Sequence, residues 1–435
     1  MKVRIVLSSI AVIFLAAAGL LYASGGKEQG ATAAAGSEVS GTVTTWTWNL
    51  EFSKLFKAAF EAKFPKVTNI LVPVSSSDYP TKLQTALAAG AGAPDEVELD
   101  GAYLIQFLNS GMFEDLSKPP YSADVSQIPR FLEERLTNDK GQLIGISNES
   151  DPGELYYRRD VAKQYFGTDD PKTIGDLLGS GAPTWDKFIA AGTKLRQASG
   201  GKVSLVAGLT DMFTMMTRQP NGAWHAGNKL LITKNYLPMF RTLEAIRKAG
   251  IDAKLQQWSP EWNSSFASGS VLAYPGAPWY VGYVISQNDK NAKGNWAMVG
   301  NPVGNWWFGG GGFAVCSLSK SKAAAWEWVK FRTIDKEGVK VAFKSSGAIP
   351  TAQFLIGTDP LYGQPSEILG GQVPIPIYMS LLDGVKLPPL SLDDPVANDI
   401  INQGLTRLDN GSATADQAIA FILDTFKQKL PAYAE

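Results

Sequence analysis

The 435-residue chain contains one cysteine and one histidine, and this shortage excludes much of the chemistry that proteins use. Cys316 alone cannot form an intrachain disulfide, so the fold depends on its hydrophobic core. His225 alone cannot build a His-rich zinc site, and it leaves few routes to Ser-His-Asp or Cys-His catalysis. The sequence also lacks a phosphate-binding loop and a metal-ligand cluster. We therefore expect no cofactor, no metal and no enzyme activity.

An excess of charge of one sign is also missing. Lys and Arg number 40 and Asp and Glu number 41, which gives a net charge of −1. Nucleic-acid binding requires a basic face, so we expect no nucleic-acid partner. After the first forty residues no apolar run approaches the length of a membrane span. The hydrophobic content of 45% and the charged content of 19% are typical of a globular protein.

The one long apolar run lies at residues 5–21, after Lys2 and Arg4. This order of charge and apolar residues is typical of an export signal, and Ala23 is a small residue suited to precede the cleavage point. We predict a signal peptide over residues 1–23 and a flexible tether over 24–40, which is rich in Gly, Ala and Ser.

Ser24 occupies the position that the lipidated cysteine has in a bacterial lipoprotein signal, and a serine cannot be lipidated through a thioether. Cleavage with release and an uncleaved anchor both remain open. In either case we expect the protein in the periplasm or at the outer face of the cytoplasmic membrane.

Strands and amphipathic helices alternate between residues 42 and 111, which predicts an α/β fold. Residues 42–48, 69–74 and 96–99 are predicted strands, and a helical pattern follows each of them. Such alternation predicts a parallel sheet with helices on both faces. Further strands are predicted at 154–157, 271–274 and 311–317, and further helices at 184–197, 236–249, 323–333, 393–408 and 414–430, with Ser412 or Thr414 as the cap of the last helix.

Several short motifs occur in the order that they have in a known family. They are GTVTTWTW (41–48), AAFEAKFP (58–65), LQTALAAG (83–90) before APDEV (93–97), LYYRRD (155–160), WNSSFASG (262–269), GAPW (276–279), GGGFAV (310–315) and GAIP (347–350). With these motifs the chain resembles the family 1 extracellular solute-binding proteins, the sugar receptors of bacterial ABC importers. The similarity covers essentially the whole chain after the tether.

The resemblance implies a two-lobed periplasmic-binding-protein fold, type II-like, with discontinuous lobes hinged around a ligand cleft. We expect residues 41–149 plus 300–350 in lobe one and 150–299 plus 351–435 in lobe two. It also implies a monomer that captures a sugar, by preference an oligosaccharide, and passes it to a membrane permease.

Sugars present apolar ring faces to aromatic side chains and hydroxyl edges to polar ones. Nine of the twelve tryptophans lie between Trp224 and Trp328, and ligands of open α/β sheets lie at the carboxyl ends of the strands. For Trp279 the resemblance adds a sugar-facing role. The candidate ligand-binding residues are Trp46, Trp48, Asn49, Asp78, Tyr79, Asp100, Asp151, Trp262, Trp279, Tyr280, Trp306 and Trp307.

Structural roles remain open for several of these candidates. Asp78 and Asp100 could cap the helices that follow them, and Asp151 could form a turn before Pro152. Trp326 and Trp328 lie on a predicted helix and are expected to pack in the core. A secreted carbohydrate-active enzyme would instead use two opposed carboxylates. The same fold could also bind a polyol, a polyol phosphate or a polyamine, or serve a sensor instead of a transporter.

Overall fold

The protein is represented by a computed structural model, which describes residues 39–180, 185–309, 311–382 and 384–434. The predicted signal peptide and residues 24–38 of the predicted tether lie outside the described residues. The strands are β1 (Gly41–Thr47), β2 (Val67–Pro73), β3 (Glu96–Leu99), β4 (Glu154–Arg158), β5 (Ser204–Val206), β6 (His225–Ala226), β7 (Lys229–Leu230), β8 (Val271–Gly276), β9 (Trp296–Val299) and β10 (Gly312–Val315).

Helices are longer than the strands on average and follow most of them along the chain. They are α1 (Leu50–Lys63), α2 (Tyr79–Ala89), α3 (Leu104–Leu108), α4 (Arg130–Arg135), α5 (Arg159–Phe166), α6 (Pro171–Leu177), α7 (Trp185–Ala198), α8 (Leu209–Thr217), α9 (Leu237–Ala249), α10 (Pro260–Ser268), α11 (Ser286–Asn288), α12 (Lys322–Thr333), α13 (Lys336–Ser346), α14 (Phe354–Thr358), α15 (Pro374–Leu382), α16 (Asp394–Asp409) and α17 (Ala415–Lys429). Each described helix is too short or too polar to cross a membrane.

The first sheet has the strand order β10-β3-β1-β2. Strand β1 is parallel to both β2 and β3, which confirms the parallel sheet predicted from the alternation of strands and helices. Strand β10 comes from a distant part of the chain and pairs with β3 in the antiparallel direction. The sheet therefore combines three early strands with one late strand.

The second sheet has the order β5-β8-β4-β9, in which β4 is antiparallel to both of its neighbours. Every residue of β4, β8 and β9 is buried, so both faces of the sheet are covered. The sequence predicted β4 and β8. It did not predict β5 and β9, because three and four residues without alternation give too weak a strand pattern.

Two segments of the chain connect the sheets and lie side by side. Residues 146–152 lead from the first sheet to β4, and residues 307–313 lead back to β10. Single antiparallel bridges join Ile146 to Phe313 and Pro152 to Trp307. A third bridge joins Ser150 to Ile349. We call residues 146–152 and 307–313 the connecting segments.

Each sheet has its own hydrophobic core. Around the first sheet, Phe60 of α1 packs against Trp328 and Phe331 of α12, with ring centroids 4.8 and 5.4 Å away. Trp326 and Trp328 are buried there, which confirms the predicted packing role. One face of the second sheet packs against α7, α8, α9, α16 and α17, and side chains of its strands also belong to a separate cluster with Trp262, Tyr280 and Tyr378.

Local sequence signals account for the start of α17 and for the surroundings of the single cysteine and the single histidine. The Thr414 hydroxyl and the Gln417 side chain form a capping box at α17, so Thr414 and not Ser412 is the cap. Cys316 is buried directly after β10, as its apolar neighbours predicted, and burial raises the pKa of its thiol. His225 lies in the small β6–β7 hairpin, where Nδ1 is 2.9 Å from the Gly227 carbonyl oxygen.

A buried ion pair connects α12 to the first sheet. Arg332 Nη1 lies 3.3 Å from Glu96 Oε1, and Nη2 lies 4.0 Å from Glu98 Oε2. The guanidinium carbon is 3.7 Å from the centroid of the Phe313 ring in β10. Burial raises the pKa of Glu96, and the charge of Arg332 opposes that shift. One arginine therefore binds to β3 and β10 together.

The variant Arg332→Met is expected to lower the free energy of unfolding by about 3–5 kcal/mol, because Glu96 would stay buried without its counter-charge. Guanidinium denaturation followed by tryptophan fluorescence measures this loss. Arg130→Met is the matched control, since Arg130 pairs with Glu134 at an exposed position and should cost no more than about 1 kcal/mol. Equal small losses in both variants would contradict a structural role for Arg332.

Candidate ligand-binding site

A cavity of about 630 Å³ lies at the carboxyl ends of β1 and β3, where an open α/β sheet binds its ligands. From the side of the first sheet it is lined by residues of segments 47–56 and 98–103 and by Arg332. The connecting segments contribute Asn148, Glu149, Asp151, Phe308, Gly309, Gly311 and Phe313. Arg218, Trp258, Trp279 and Tyr283 line it from the other side, and Ser76, Ala342 and Ser346 are further lining residues.

Five of the twelve candidate residues line this cavity: Trp48, Asn49, Asp100, Asp151 and Trp279. Two of these side chains also accept hydrogen bonds from the backbone at the start of a helix or a turn. Asn49 caps α1, since its Oδ1 accepts a hydrogen bond of 3.1 Å from the Phe52 backbone N–H. Asp100 Oδ1 accepts a bond of 2.7 Å from the Ala102 backbone N–H, which closes a turn before α3. The cap residue of α3 is Tyr103, so Asp100 does not have the capping role that the sequence left open for it. The backbone hydrogen bonds of Asn49 and Asp100 hold these two side chains at the edge of the cavity.

Three candidates near β1 and α2 lie outside the lining. Tyr79 is a core residue, and its hydroxyl accepts a 3.0 Å hydrogen bond from the Glu98 backbone N–H. Trp46 is half-buried and packs edge-to-face on Tyr79. Asp78 is exposed and makes no side-chain capping bond to α2. Trp46 lies near the end of β1, whereas Asp78 and Tyr79 lie at the start of α2, and the sequence could not tell which way these side chains point.

Four further candidates are buried behind the cavity and do not line it. Trp262 donates its indole N–H to Asp211 Oδ1 over 3.1 Å. Tyr280 stacks on Tyr156 at 6.0 Å. Burial in the second sheet region therefore makes both of them structural.

Trp306 and Trp307, two of the ligand-binding candidates, are buried at 1% and 0% exposure and do not line the cavity. Trp306 lies directly over Gly153, where any Cβ would come within 2.0 Å of the indole ring. Trp307 packs edge-to-face on Phe131 at 5.0 Å. Their burial depends on partners that are far away in the sequence, and the composition of the surrounding loop does not reveal these partners.

Trp258 is a lining residue that the sequence prediction missed. It is 48% exposed, and its ring is stacked on Trp279 with a centroid distance of 6.2 Å and an angle of 16° between the planes. From behind, Trp262 contacts it at 5.0 Å. The signal was present in the sequence, because Trp258 directly precedes Ser259, the cap of α10, in a polar turn.

The Trp279 ring is held in place by the surrounding protein. Its indole N–H donates a 3.0 Å hydrogen bond to the Phe308 carbonyl oxygen. Tyr283 packs edge-to-face against it at 6.0 Å, and the Phe308 ring lies 5.3 Å away. Trp258 and Trp279 together form a fixed apolar surface in the wall of the cavity, which we call the tryptophan pair.

Four carboxyl side chains also line the cavity: Glu98, Asp100, Glu149 and Asp151. Glu98 and Glu149 were not among the candidates, because the sequence shows no reason for them to face the same space. Burial raises the pKa of Glu98 to about 8 and that of Glu149 to about 7. Burial also raises the pKa of Asp151 well above its usual range, and the charges of Glu149 and Asp100 raise it further.

Asp151 is the most enclosed of these carboxyl groups, with 1% of its surface exposed. Its Oδ1 has no hydrogen-bond partner among the described residues. Its Oδ2 lies against the backbone of Gly309, where a Cβ would come within 1.8 Å of that oxygen. Gly309 therefore lets the second connecting segment approach the carboxyl group closely.

Two guanidinium groups, of Arg218 and Arg332, line the same space. Burial lowers the pKa of Arg218, and the charge of Asp100 acts against that shift. In the described part of the chain no group of three His, Cys, Asp or Glu side chains is placed to hold a metal ion. The cavity therefore offers hydrogen-bond acceptors, two cations and a flat apolar surface.

Gly309→Ala is expected to lower the free energy of unfolding by about 1–3 kcal/mol, because the added methyl group must displace the Asp151 carboxyl group. Urea denaturation gives the loss directly. The matched control is Gly357→Ala in α14, where no atom lies within 4 Å of the added Cβ. That variant should be unchanged or more stable by up to about 1 kcal/mol. A loss of the same size at both glycines would show that the contact with Asp151 is unimportant.

Trp258 has a φ of 70°, in the left-handed region that costs a residue with a side chain roughly 1–2 kcal/mol. We therefore expect Trp258→Gly to be more stable than Trp258→Ala by about 1 kcal/mol, since only glycine adopts this φ without strain. The two variants remove the same ring contacts, so their difference isolates the backbone.

The control pair is Phe354→Gly and Phe354→Ala. Phe354 is similarly exposed but lies in helix α14, where alanine should be the more stable by about 0.5–1 kcal/mol. Thermal denaturation of the four variants measures both differences. The same order of stability at both positions would contradict strain at Trp258.

Comparison with known proteins places this geometry in a family. Residues 56–354 match the family of bacterial extracellular solute-binding proteins. A solved extracellular solute-binding protein of family 1 superposes with a TM-score of 0.75 at 22% identity, covering 90% of this chain and 99% of that chain.

Two further solved structures are similar at lower identity. The GacH receptor of Streptomyces glaucescens, solved unliganded and with acarbose, gives a TM-score of 0.74 at 17% identity over 91% of this chain and all of that one (100%). The ABC transporter associated binding protein of B. animalis subsp. lactis, solved with β-1,6-galactobiose, gives 0.71 at 17% identity, with coverages of 91% and 100%.

These likenesses confirm the predicted two-lobed α/β fold. The match to the family spans well over half of the chain and includes β3 to α13, from which most of the cavity is built. The protein belongs to the bacterial extracellular solute-binding proteins.

Proposed function

We propose that the protein captures a saccharide, by preference an oligosaccharide, in the cavity and delivers it to the membrane permease of an ABC importer. The observation that carries this proposal is the tryptophan pair, two nearly parallel indole rings set beside several hydrogen-bond acceptors in one cavity. Sugar rings have apolar faces and polar edges, and they need this combination of partners.

The proposed ligand-binding residues are Trp48, Asn49, Asp100, Asp151 and Trp279, together with Trp258. The tryptophan pair would bind the face of one sugar ring, while the carboxyl groups accept hydrogen bonds from hydroxyls. A volume of about 630 Å³ lies within the range of roughly 300–1,000 Å³ that is usual for small-molecule sites. Receptors of similar fold solved with acarbose and with β-1,6-galactobiose support a carbohydrate ligand.

The proposed mechanism is closure of two lobes around the ligand, without covalent chemistry. We assign residues 41–149 plus 300–350 to lobe one and 150–299 plus 351–435 to lobe two. The pairing of β10 with β3 and the packing of α16 and α17 in the second core support this division. The ligand would stabilise the closed state by binding it more tightly than the open state.

The family is extracellular, and the protein is accordingly an exported one. The predicted signal peptide and tether would place it in the periplasm or at the outer face of the cytoplasmic membrane. It would act there as a monomer, since each receptor closes on one ligand before it meets the permease.

A carbohydrate-active enzyme is the rival function, because Asp100, Glu149 and Asp151 lie in one cavity and two carboxyl groups suffice for glycoside hydrolysis. Such an enzyme would release a product from a bound oligosaccharide, whereas a receptor would return it intact. Chromatography of the sugar after prolonged incubation separates the two.

A thermal-shift screen of residues 39–435 against mono- and oligosaccharides, polyols and polyamines tests the receptor proposal. A ligand that binds only the folded state, at a hundredfold excess over its Kd, stabilises it by about 2.7 kcal/mol. We expect one class of saccharide to raise the melting temperature. We also expect Trp279→Ala to weaken that binding at least about tenfold, by the loss of a hot-spot aromatic ring.

Phe354→Ala is the matched control, because Phe354 is exposed like Trp258 but does not line the cavity. Calorimetry should give the same Kd for this variant as for the unmodified protein. Binding of polyols or polyamines alone would overturn the saccharide ligand, and equal affinity of Trp279→Ala would overturn this site.

A further inference from the structure

More acidic than basic side chains line the cavity. Four carboxyl groups line it and only two arginines, and Arg332 is already paired with Glu96 and Glu98. Arg218 is the remaining cation, and Asp100 is the carboxyl group whose charge acts on it. The charge of Arg332 also acts on Glu149, whereas neither guanidinium group acts on Asp151.

Asp151 is the carboxyl group of the cavity that most needs a partner. Its side chain is 99% buried, yet its Oδ1 has no hydrogen-bond partner among the described residues. The charged groups that act on its pKa, Glu149 and Asp100, are both acidic and both raise it. An enclosed carboxyl group without a partner is costly unless a donor or a cation reaches it. Because Asp151 lines the cavity, that partner can come from the ligand.

The tryptophan pair favours the same kind of group. The faces of indole rings carry negative electrostatic potential and attract cations as well as the C–H faces of sugars. A neutral sugar offers hydroxyl donors but no charge. An ammonium group offers three donors together with a positive charge, which is the larger stabilisation for a buried carboxylate.

We propose that the ligand is a saccharide with a free amino group, whose ammonium is bound by Asp151 and Glu149 while a sugar ring lies on Trp258 and Trp279. This inference rests on the proposed function and narrows its ligand class. A neutral sugar fits the tryptophan pair equally well, but it offers the buried Asp151 Oδ1 no cationic partner.

The test uses sets of sugars that differ only at the amino position. Glucosamine is compared with N-acetylglucosamine and glucose, and the β-1,4-linked dimer of glucosamine with its N-acetylated form and with cellobiose. The third set contains galactosamine, N-acetylgalactosamine and galactose. Calorimetry on the full chain should show, in at least one set, that the sugar with the free amino group binds at least about tenfold more tightly than its N-acetylated and neutral counterparts. This is the size expected for a charge-assisted hydrogen bond.

Asp151→Asn keeps the shape of the side chain and removes its charge. The preference for the free amine should fall to about twofold or less in this variant, while the N-acetylated sugar keeps its affinity within about threefold. Glu149→Gln provides a second variant should Asp151→Asn fail to fold, as judged by circular dichroism. Asp78→Asn is the matched control, since Asp78 is exposed and does not line the cavity, and the preference should persist in it.

The possible outcomes separate this inference from the proposed function. Equal or tighter binding of the neutral sugars would overturn the amine and leave the saccharide receptor intact. A preference that survives in both Asp151→Asn and Glu149→Gln would overturn the assignment to these carboxyl groups. Binding of putrescine or spermidine without any sugar would overturn both proposals, and so would the absence of binding by every member of the panel.

Discussion

The pairing of Arg332 with Glu96 and Glu98 is the interaction on which the centre of the molecule depends. Buried carboxyl groups are unfavourable without a counter-charge, and this arginine supplies one where α12, β3 and β10 meet. The late strand β10 is thereby joined to a sheet of early strands. That junction is also a wall of the cavity. The same requirement of a counter-charge is not met at Asp151, which gives the cavity its chemical character.

If the tryptophan pair binds the ligand as proposed, its surface is ordered before the ligand arrives. Trp279 is fixed by a hydrogen bond to Phe308, and Trp258 has a strained backbone angle and a half-exposed ring. A binding surface that is already ordered loses less conformational freedom when it is occupied. The local strain at Trp258 is thus consistent with a position kept for binding and not for stability.

Local patterns in the sequence predicted the frame of the fold but only part of the site. Alternation identified β1 to β3 and their helices, because each element shows its own periodicity over enough residues. The directions of side chains at strand ends were harder to predict: Trp46 and Trp48 lie at the end of the same strand, yet Trp48 lines the cavity and Trp46 does not. Trp306 was misplaced because its environment is set by Gly153, whose proximity depends on the completed chain path. Glu149 was missed for the same reason, since its neighbours in the cavity come from other elements.

The connecting segments have two roles, because they join the two sheets and also line the cavity. The described residues of both segments join the two sheets, and several of them line the cavity. Under the proposed closure of the lobes, a group that contacts the ligand there would also belong to the backbone path along which one lobe moves against the other. A change of these residues for a new ligand would then also alter the equilibrium between open and closed forms. Specificity is freer to change through residues such as Trp258, which lies outside both connecting segments, and related receptors should diverge first at positions of that kind.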